Sequence, residues 1–515
     1  MGQDMVSNSR RIAKNTLMLY VRMLFMMLVG LYTSRIVLEA LGENDFGIYN
    51  VVGGVVAMFT MISGALNSAV SRFITFEMGK GGEAALNRVY STAVTIQLIL
   101  AVIVVALAEP AGLWFIRNEM TIDPSRIPAA ENVLHFSLLA FVINLMSVPQ
   151  MASITAHEKM SAYAYIGILD GLLRLGVAFL ILHSSSDRLI LYAALMAGTV
   201  LVVRISYWAY CRRNFEECRY RPLFDRALIK EMFSFAGWNF IGVTSGVLRD
   251  HGGNILVNLF AGTAVNAARG VAVQLNGAVQ GFVTNFMTAV NPQITKSYAA
   301  GEKEYMFSLV RKSSRMSFFL LFLLALPVIF NVDFLLGVWL KDVPEHSSLF
   351  VRLFMIFALS ESLSNPMITA MLATGRIRNY QLVVGGIQLL NVPVSYICLR
   401  LGAIPEITVV VAVVISQICL FARLIMLHKA TGFPVLKFLD EVYLSVMMKV
   451  VCGSLVMPLL IEAVKPEGLA GFLISAGCCV LWSSLVIWLL GLTREERHWV
   501  KGMIINRLKK NDKDN

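Results

Sequence analysis

Charge is scarce in this sequence. Only 15% of its residues are Asp, Glu, Lys or Arg, against roughly a quarter in soluble globular chains. A water-soluble chain of 515 residues would also need a core larger than single domains build. Cysteine is sparse as well. Cys211, Cys218, Cys398, Cys419, Cys452, Cys478 and Cys479 are scattered, mostly inside apolar runs. None forms zinc-ligand spacing with histidines, and no disulfide framework is visible, so they read as small packing residues. Catalytic signatures are missing: there is no phosphate-binding G-x-x-x-x-G-K-[ST], no G-x-S-x-G and no H-E-x-x-H. The expectation is a chain that is not an enzyme, needs no cofactor and binds no ATP. Energy then has to come from a gradient, from the membrane potential, or from supply and removal of a cargo.

What is present is apolar. Hydrophobic residues make up 57% and the mean hydropathy is +0.68. A bilayer core takes about 20 mostly apolar residues per helix. On that criterion fourteen stretches span, at 12–37, 46–70, 89–115, 131–154, 161–183, 189–210, 234–260, 268–291, 314–332, 348–372, 380–401, 405–427, 442–463 and 468–491. The fold class is therefore all-α, a polytopic membrane protein. Residues 1–14 are polar and basic, but the apolar run after them is too long for a cleaved signal and lacks a small-residue exit. The first span is expected to stay.

The net charge of +11 is explained by topology. With the N-terminus in the cytoplasm, inner loops collect roughly 30 Lys and Arg and outer loops roughly 8, as the positive-inside rule requires. Arg212, Arg213, Arg219, Arg221, Arg226 and Lys230 are inner, as are Lys296, Lys303, Arg311, Lys312 and Arg315, whereas the outer turn at Glu39, Glu43 and Asp45 is acidic. Nucleic acid is not expected as a partner. An even number of spans also puts the C-terminus inside. There Arg494 to Lys513 is basic, with Trp499, Met503, Ile504 and Leu508 on one side, which reads as an interfacial amphipathic tail on membrane lipids.

The chain repeats itself. Gly42 and Gly262 lie 220 positions apart, and at that offset Val37 meets Val257, Val51 meets Val271, Ile74–Thr75 meets Ile294–Thr295 and Gly81 meets Gly301. The offset then slips to 217, where Pro149 meets Pro366, Ala156 meets Ala373, Lys159 meets Arg376 and Tyr163 meets Tyr380. Six spans per copy is an even number, so the repeat is parallel. The expected organisation is an N-terminal six-helix lobe over 1–210, a cytoplasmic linker over 211–233, a C-terminal six-helix lobe over 234–430, two further spans within 431–492 and the tail over 493–515. Such duplications bind substrate between lobes that rock in alternating access.

Ionisable groups inside spans are candidate functional residues, because charge in hydrocarbon is costly. Arg22, Asp170, Arg174, Arg249, Asp250, Arg352 and Glu361 lie well inside, Lys449 is nearer an end, and Arg204 reads as a snorkelling end residue. Arg22 and the Arg249–Asp250 pair sit in repeat-related spans, as cavity-lining charge would. Asp170 and Arg174 are four apart and can pair on one helical face. Arg352 and Glu361 are nine apart, on different faces, so each needs a partner the sequence does not name. The second span of each lobe carries a polar stripe: Asn276, Gln280, Thr284 and Thr288, with Asn291 nearby, and Thr60, Ser63, Asn67 and Ser71. Such stripes either glue helices or line water, and four polar groups on one face favour lining. Pro149, Pro366, Pro393 and Pro458 kink helices, and Gly53–Gly54 and Gly252–Gly253 allow close packing.

The runs Asn266-Ala-Ala-Arg-Gly-Val-Ala-Val-Gln274 and Asn291-Pro-Gln-Ile-Thr-Lys-Ser-Tyr-Ala-Ala-Gly301-Glu resemble bacterial polysaccharide-biosynthesis membrane proteins. So do Ser34-Arg-Ile-Val-Leu-Glu-Ala-Leu-Gly42 and Gly47-Ile-Tyr-Asn-Val-Val-Gly-Gly54. These are the O-antigen and capsule repeat-unit flippases of the multidrug/oligosaccharidyl-lipid/polysaccharide exporter superfamily. The resemblance implies two six-helix lobes with two extra C-terminal helices, in the bacterial inner membrane. It implies transfer of an undecaprenyl-diphosphate-linked oligosaccharide to the periplasmic leaflet, H⁺ or Na⁺ as a possible coupling ion, and polysaccharide polymerase and chain-length machinery as possible partners. It places a cationic polar cavity where Arg22 and Arg249 stand, guanidinium being suited to phosphate oxygens. Many relatives carry an acidic residue in the seventh span, and Asp250 takes that place, with His251-Gly-Gly-Asn254 before the apolar run. An ion-coupled drug or metabolite exporter on the same fold is the alternative. A membrane-bound glycan polymerase or transferase is a further rival, disfavoured by outer loops of no more than about twenty residues.

Overall fold

The computed structural model describes residues 2–57, 59–80, 82–120, 122–340, 342–464, 468–493 and 496–497. Among them every regular element is helical. In chain order these are α1 (Gly2–Ala57), α2 (Thr60–Lys80), α3 (Glu83–Asn118), α4 (Ile127–Leu145), α5 (Val148–Ala156), α6 (Met160–Leu182), α7 (Arg188–Asn214), α8 (Arg226–Ala299) and α9 (Lys303–Phe330). They continue with α10 (Val332–Trp339), α11 (Ser347–Ala373), α12 (Arg378–Leu389), α13 (Asn391–Arg400), α14 (Ile407–Thr431), α15 (Val435–Phe438), α16 (Cys452–Val464) and α17 (Gly468–Val486). Leu439–Val451 and Ile487–Gly491 are π-helical. The basic tail lies outside the described residues apart from Glu496 and Arg497.

Helix starts follow local chemistry. The Asp187 carboxylate accepts from Leu189 N at 3.1 Å and Ile190 N at 3.3 Å at the start of α7. Asp225 accepts from Ala227 N and Leu228 N, both at 3.1 Å, at the start of α8. Each satisfies amide donors that the first turn leaves free.

Twelve helical segments are long and apolar enough to cross a bilayer, among the described residues. The chain is a multi-pass membrane protein, but the expected count of fourteen is not reproduced, for two reasons. The expected spans 234–260 and 268–291 lie on either side of Gly262, where α8 departs from helical geometry, and together they make up one of the twelve segments. The expected span 46–70 is divided between α1 and α2, and α2, with its serines, Asn67 and Arg72, is not among the twelve.

Both long helices bend at one residue. Gly42 has φ 75° and ψ 169° within α1, and Gly262 has φ 82° and ψ −179° within α8. That backbone region is open essentially to glycine alone. The pair that sets the 220-residue offset thus shares a conformation as well as a residue type. At the first bend, Arg188 Nη1 donates to Ala40 O at 3.0 Å, and Ile36, Val37 and Ala40 pack with Val177, Ala178 and Ile181 of α6.

Prolines open the helices unevenly. The expected span 131–154 is two helices, broken at Met146–Ser147 with Pro149 in the first turn of α5. The expected span 380–401 is likewise broken at Leu390, just ahead of Pro393. Pro366 and Pro458 instead sit inside continuous α11 and α16.

Two compact units result. The first comprises Ala13–Thr244 and Asn291–Glu302; the second comprises Ser245–Val290, the residues from Lys303 onward and the first turns through Ile12. In the first, α4 packs on α7, α2 on α5 and α6 on α7. In the second, α11 packs on α9 and α14, and α17 on α9 and α16. Their helices are held by packing and polar contacts, since apolar side chains gain little by leaving lipid for protein.

The segment 211–233, expected as a linker, contains the end of α7 and the start of α8, and its centre is tied down. Asn87 Nδ2 donates to Glu217 O at 2.8 Å and Arg219 O at 2.9 Å. His157 meets the Glu217 carboxylate at 2.6 Å and stacks on Phe215 at 4.0 Å. Residues 226–244 group with the first unit, where Phe235 packs edge-on against Phe73 at 5.9 Å and the Arg72 guanidinium lies over both rings.

Candidate functional site

In the first unit the interior charge gathers around α1 and α6. Arg22 of α1 is half-buried, and its guanidinium lies 4.4 Å from the Tyr163 ring centroid, a cation–π distance. Gly167, one turn along α6, makes room for it: a Cβ there would stand 2.1 Å from Arg22 Nε and 2.7 Å from Cδ. Arg22 Nε is buried without a hydrogen-bond partner. Asp170 and Arg174 form the pair their spacing predicts, at 2.9 Å. Tyr207 lies within electrostatic reach of Arg22, Tyr163 and Asp170, and Arg174 within reach of Tyr49 and Tyr192, whose rings meet at 4.7 Å. Arg22, Asp170 and Arg174 therefore belong to one tyrosine-lined group. Asn67 is half-buried on α2, and among the described residues no hydrogen bond links it to these three.

The second unit holds a denser cluster. Arg249 Nε donates to Asp250 Oδ1 at 2.9 Å, and its guanidinium lies over Phe357 at 4.8 Å. It lies within electrostatic reach of Glu361 and Arg423. Arg423 of α14 is 2% exposed; its Nη1 is 3.8 Å from Glu361 Oε1 and its Nε donates to Tyr380 Oη at 3.3 Å. Arg269 of α8 is buried, donates to Asn254 Oδ1 at 3.1 Å and to the Asp250 carbonyl at 3.0 Å, and lies over Phe354. Of these three guanidinium groups, Arg249 and Arg423 each meet a carboxylate, whereas Arg269 is held by neutral oxygens. Gly253 lets Arg269 approach, since a Cβ there would stand 3.0 Å from its Nη2.

The stripe on α8 is more self-contained. Thr284 Oγ1 bonds back to Gln280 O at 3.1 Å and Thr288 Oγ1 to Thr284 O at 2.8 Å, while Asn276 Oδ1 is buried without a partner. No hydrogen bond links Asn276, Gln280 or Thr284 to the arginine cluster among the described residues. Among those residues, no three His, Cys, Asp or Glu side chains gather as metal ligands would.

The structure supplies the partners the sequence left open. Glu361 meets Arg423, and Arg352 bonds Asp333 at 3.0 Å and Ile329 O at 3.2 Å. Arg204 does not snorkel. Its guanidinium donates to Met146 O, the carbonyl at the α4–α5 break, and to Gln150 Oε1 at 2.8 Å. Sequence reasoning passed over Arg269 and Arg423. Arg269 stood inside the Asn266–Gln274 run, and Arg423 within five residues of a span end, where a charge ordinarily reaches water. The repeat match of Tyr163 with Tyr380 was the available signal, because each tyrosine contacts an interior arginine.

The family model for polysaccharide biosynthesis proteins matches residues 12–298. The chain belongs to that family. Among solved structures it is similar to a MATE transporter in complex with MaD3S, at 12% identity and TM-score 0.71, over 82% of this chain and 97% of that one. It is similar to an outward-facing multidrug resistance MATE transporter of the MOP superfamily, at 12% identity and TM-score 0.68, over 82% and 96%. It is also similar to a MOP superfamily transporter from Pyrococcus furiosus described by the reversed polarity of its binding pocket, at 12% identity and TM-score 0.68, over 83% and 96%. These likenesses establish the MATE-like fold of this family member. No curated protein matches the chain.

Proposed function

We propose that this family member is a flippase that carries a lipid-linked oligosaccharide, held by its diphosphate, from the cytoplasmic to the periplasmic leaflet of the bacterial inner membrane. The observation that carries the reading is Arg22. It is a half-buried guanidinium in a membrane span, with no carboxylate in ion-pair contact among the described residues and a buried Nε without a hydrogen-bond partner there. A charge in that setting calls for an anion, and a guanidinium fork suits phosphate oxygens. The second unit adds Arg249 and Arg423, each paired with one carboxylate, and Arg269, held by neutral oxygens. Organic cations, the cargo of a drug exporter, favour acidic and aromatic sites, so the excess of arginine favours an anionic cargo. The matched family, polysaccharide biosynthesis, fits a glycan on that anion. The Lys and Arg distribution supports cytoplasmic termini, and the glycine bends in α1 and α8 suit helices that flex in alternating access.

The test is transport in liposomes. Purified protein is reconstituted with an undecaprenyl-diphosphate-linked oligosaccharide, and access of a membrane-impermeant probe to the glycan is followed. Access rises with the wild type and is lost with Arg22→Ala and Arg249→Ala, both still folded. Unchanged transport in both variants moves the site elsewhere. Absence of glycolipid transport together with proton-driven efflux of small cations would replace this reading with the exporter.

A further inference from the structure

The two units carry matching ion pairs at the helix ends opposite the basic loops, and the pairs differ in one chemical respect. In the first unit Arg126, the residue before α4, donates to the carboxylate of Asp187, the residue before α7, at 2.6 Å, and also reaches Asp45 at 3.0 Å. In the second unit His346, the residue before α11, meets the carboxylate of Glu406, the residue before α14, at 2.6 Å. Arg126 and His346 are 220 positions apart, and Asp187 and Glu406 are 219 apart, matching the internal repeat. Each pair joins the starts of two helices that pack along their lengths within one unit.

A guanidinium keeps its charge at any physiological pH, whereas an imidazole ordinarily changes charge between pH 5 and 8. The surroundings of Glu406 make that difference consequential. Its side chain is 1% exposed, Oε2 has no hydrogen-bond partner, and His346 Nδ1 is the partner of Oε1. A buried carboxylate needs a counter-charge or a proton. His346 itself holds a left-handed φ of 72°, uncommon for a residue with a Cβ and maintained only where the surroundings fix it. The other charged groups on this face do not replace the imidazole. Asp333 of α10 pairs with Arg352 of α11, and Arg400 of α13 donates to its own Tyr396. Asp342 and Glu345, in the loop before His346, are acidic and add no positive charge.

We propose that His346 and Glu406 form a proton-binding site that clamps the starts of α11 and α14, while Arg126 and Asp187 form the corresponding clamp without a titrating cation. With the imidazole protonated, the carboxylate is compensated and the clamp is closed. As pH rises and the proton leaves, a buried carboxylate faces a neutral ring, and the clamp loosens. The first unit stays clamped throughout that range.

Hydrogen exchange of the full-length protein in lipid nanodiscs tests this, with rates corrected for the intrinsic effect of pH. Peptides over 342–352 and 402–412 should exchange about ten- to hundredfold faster at about pH 8 than at about pH 5, the factor a charge-assisted hydrogen bond supports. Peptides over 122–132 and 183–193 should not change. His346→Arg should abolish the dependence in the second unit, and Arg126→His should create one in the first. Equal protection of the second-unit peptides at both pH values, or a dependence that survives in both His346→Arg and Glu406→Gln, would overturn the proposal. An equal change in both units of the wild type would overturn it as well.

Discussion

Gly167→Ala moves a charge without deleting it. The added Cβ would stand 2.1 Å from Arg22 Nε and 2.7 Å from Cδ, where ordinary contacts begin at about 3.4 Å. Arg22 must therefore retreat by more than about 1 Å, off the Tyr163 face it now covers at 4.4 Å. The helix gains from the change, since alanine is a better helix former than glycine by about 1 kcal/mol. If Arg22 binds a diphosphate through a charge-assisted hydrogen bond, losing that bond costs about 1.5–3 kcal/mol, or roughly ten- to hundredfold in affinity. Gly167→Ala should then resemble Arg22→Ala in glycolipid transport while melting no lower than wild type. Gly176→Ala, on the same helix with open space around its Cβ position, is the control and should transport normally. A folded Gly167→Ala protein with wild-type glycolipid affinity would refute the placement of Arg22 in the site.

Gly42→Ala and Gly262→Ala add a Cβ that touches nothing within 4 Å, so their cost is backbone strain alone, about 1–3 kcal/mol each, read as lower melting temperatures in detergent. Arg204→Ala leaves Met146 O and Gln150 Oε1 without their donor and should cost about 1–3 kcal/mol for each group left unsatisfied. Arg423→Ala strips Glu361 of its ion-pair partner, a loss of about 3–5 kcal/mol, and adding Glu361→Gln should restore part of it in a double-mutant cycle. The bond from Arg126 holds the Asp187 carboxyl below the usual carboxylate range. Its stabilisation is complete above the unfolded value of about 4 and is lost as pH falls through the lower folded value, so Asp187→Asn should flatten that acid limb of a melting curve.

The sequence was most legible where one physical requirement dominates. Bilayer solvent demands long apolar helices, and most of the spans appear, although α9 starts at Lys303 rather than 314 and the expected span 46–70 is divided between α1 and α2. Spacing on a helix fixed the Asp170–Arg174 contact. The repeat identified Gly42 and Gly262 as equivalent, each between two expected spans, and the structure bends at both. Long-range partners were not legible. Glu361 meets Arg423, 62 positions away, and Arg22 lies over Tyr163, 141 positions away, through helix packing that hydropathy alone does not encode. The interruption that hydropathy marks between 260 and 268 contains Gly262, where α8 departs from helical geometry.

The two halves keep their backbone devices and change the chemistry attached to them. Arg204 on α7 and Arg423 on α14 occupy corresponding helices, each packed on the fourth helix of its half. In the first half the partner helix is broken ahead of Pro149, which frees the Met146 carbonyl, and Arg204 uses it with Gln150. In the second half Pro366 lies within continuous α11, and Arg423 instead meets a carboxylate and a tyrosine. Neutral acceptors leave the formal charge of Arg204 in place, whereas Glu361 offsets that of Arg423. Arg126 and His346 differ in another way, since both meet carboxylates but only one is a guanidinium. Duplication thus supplies matched bends and helix pairs, while substitution at single positions decides which interior arginine meets a carboxylate and which of the two equivalent helix-start pairs carries an imidazole.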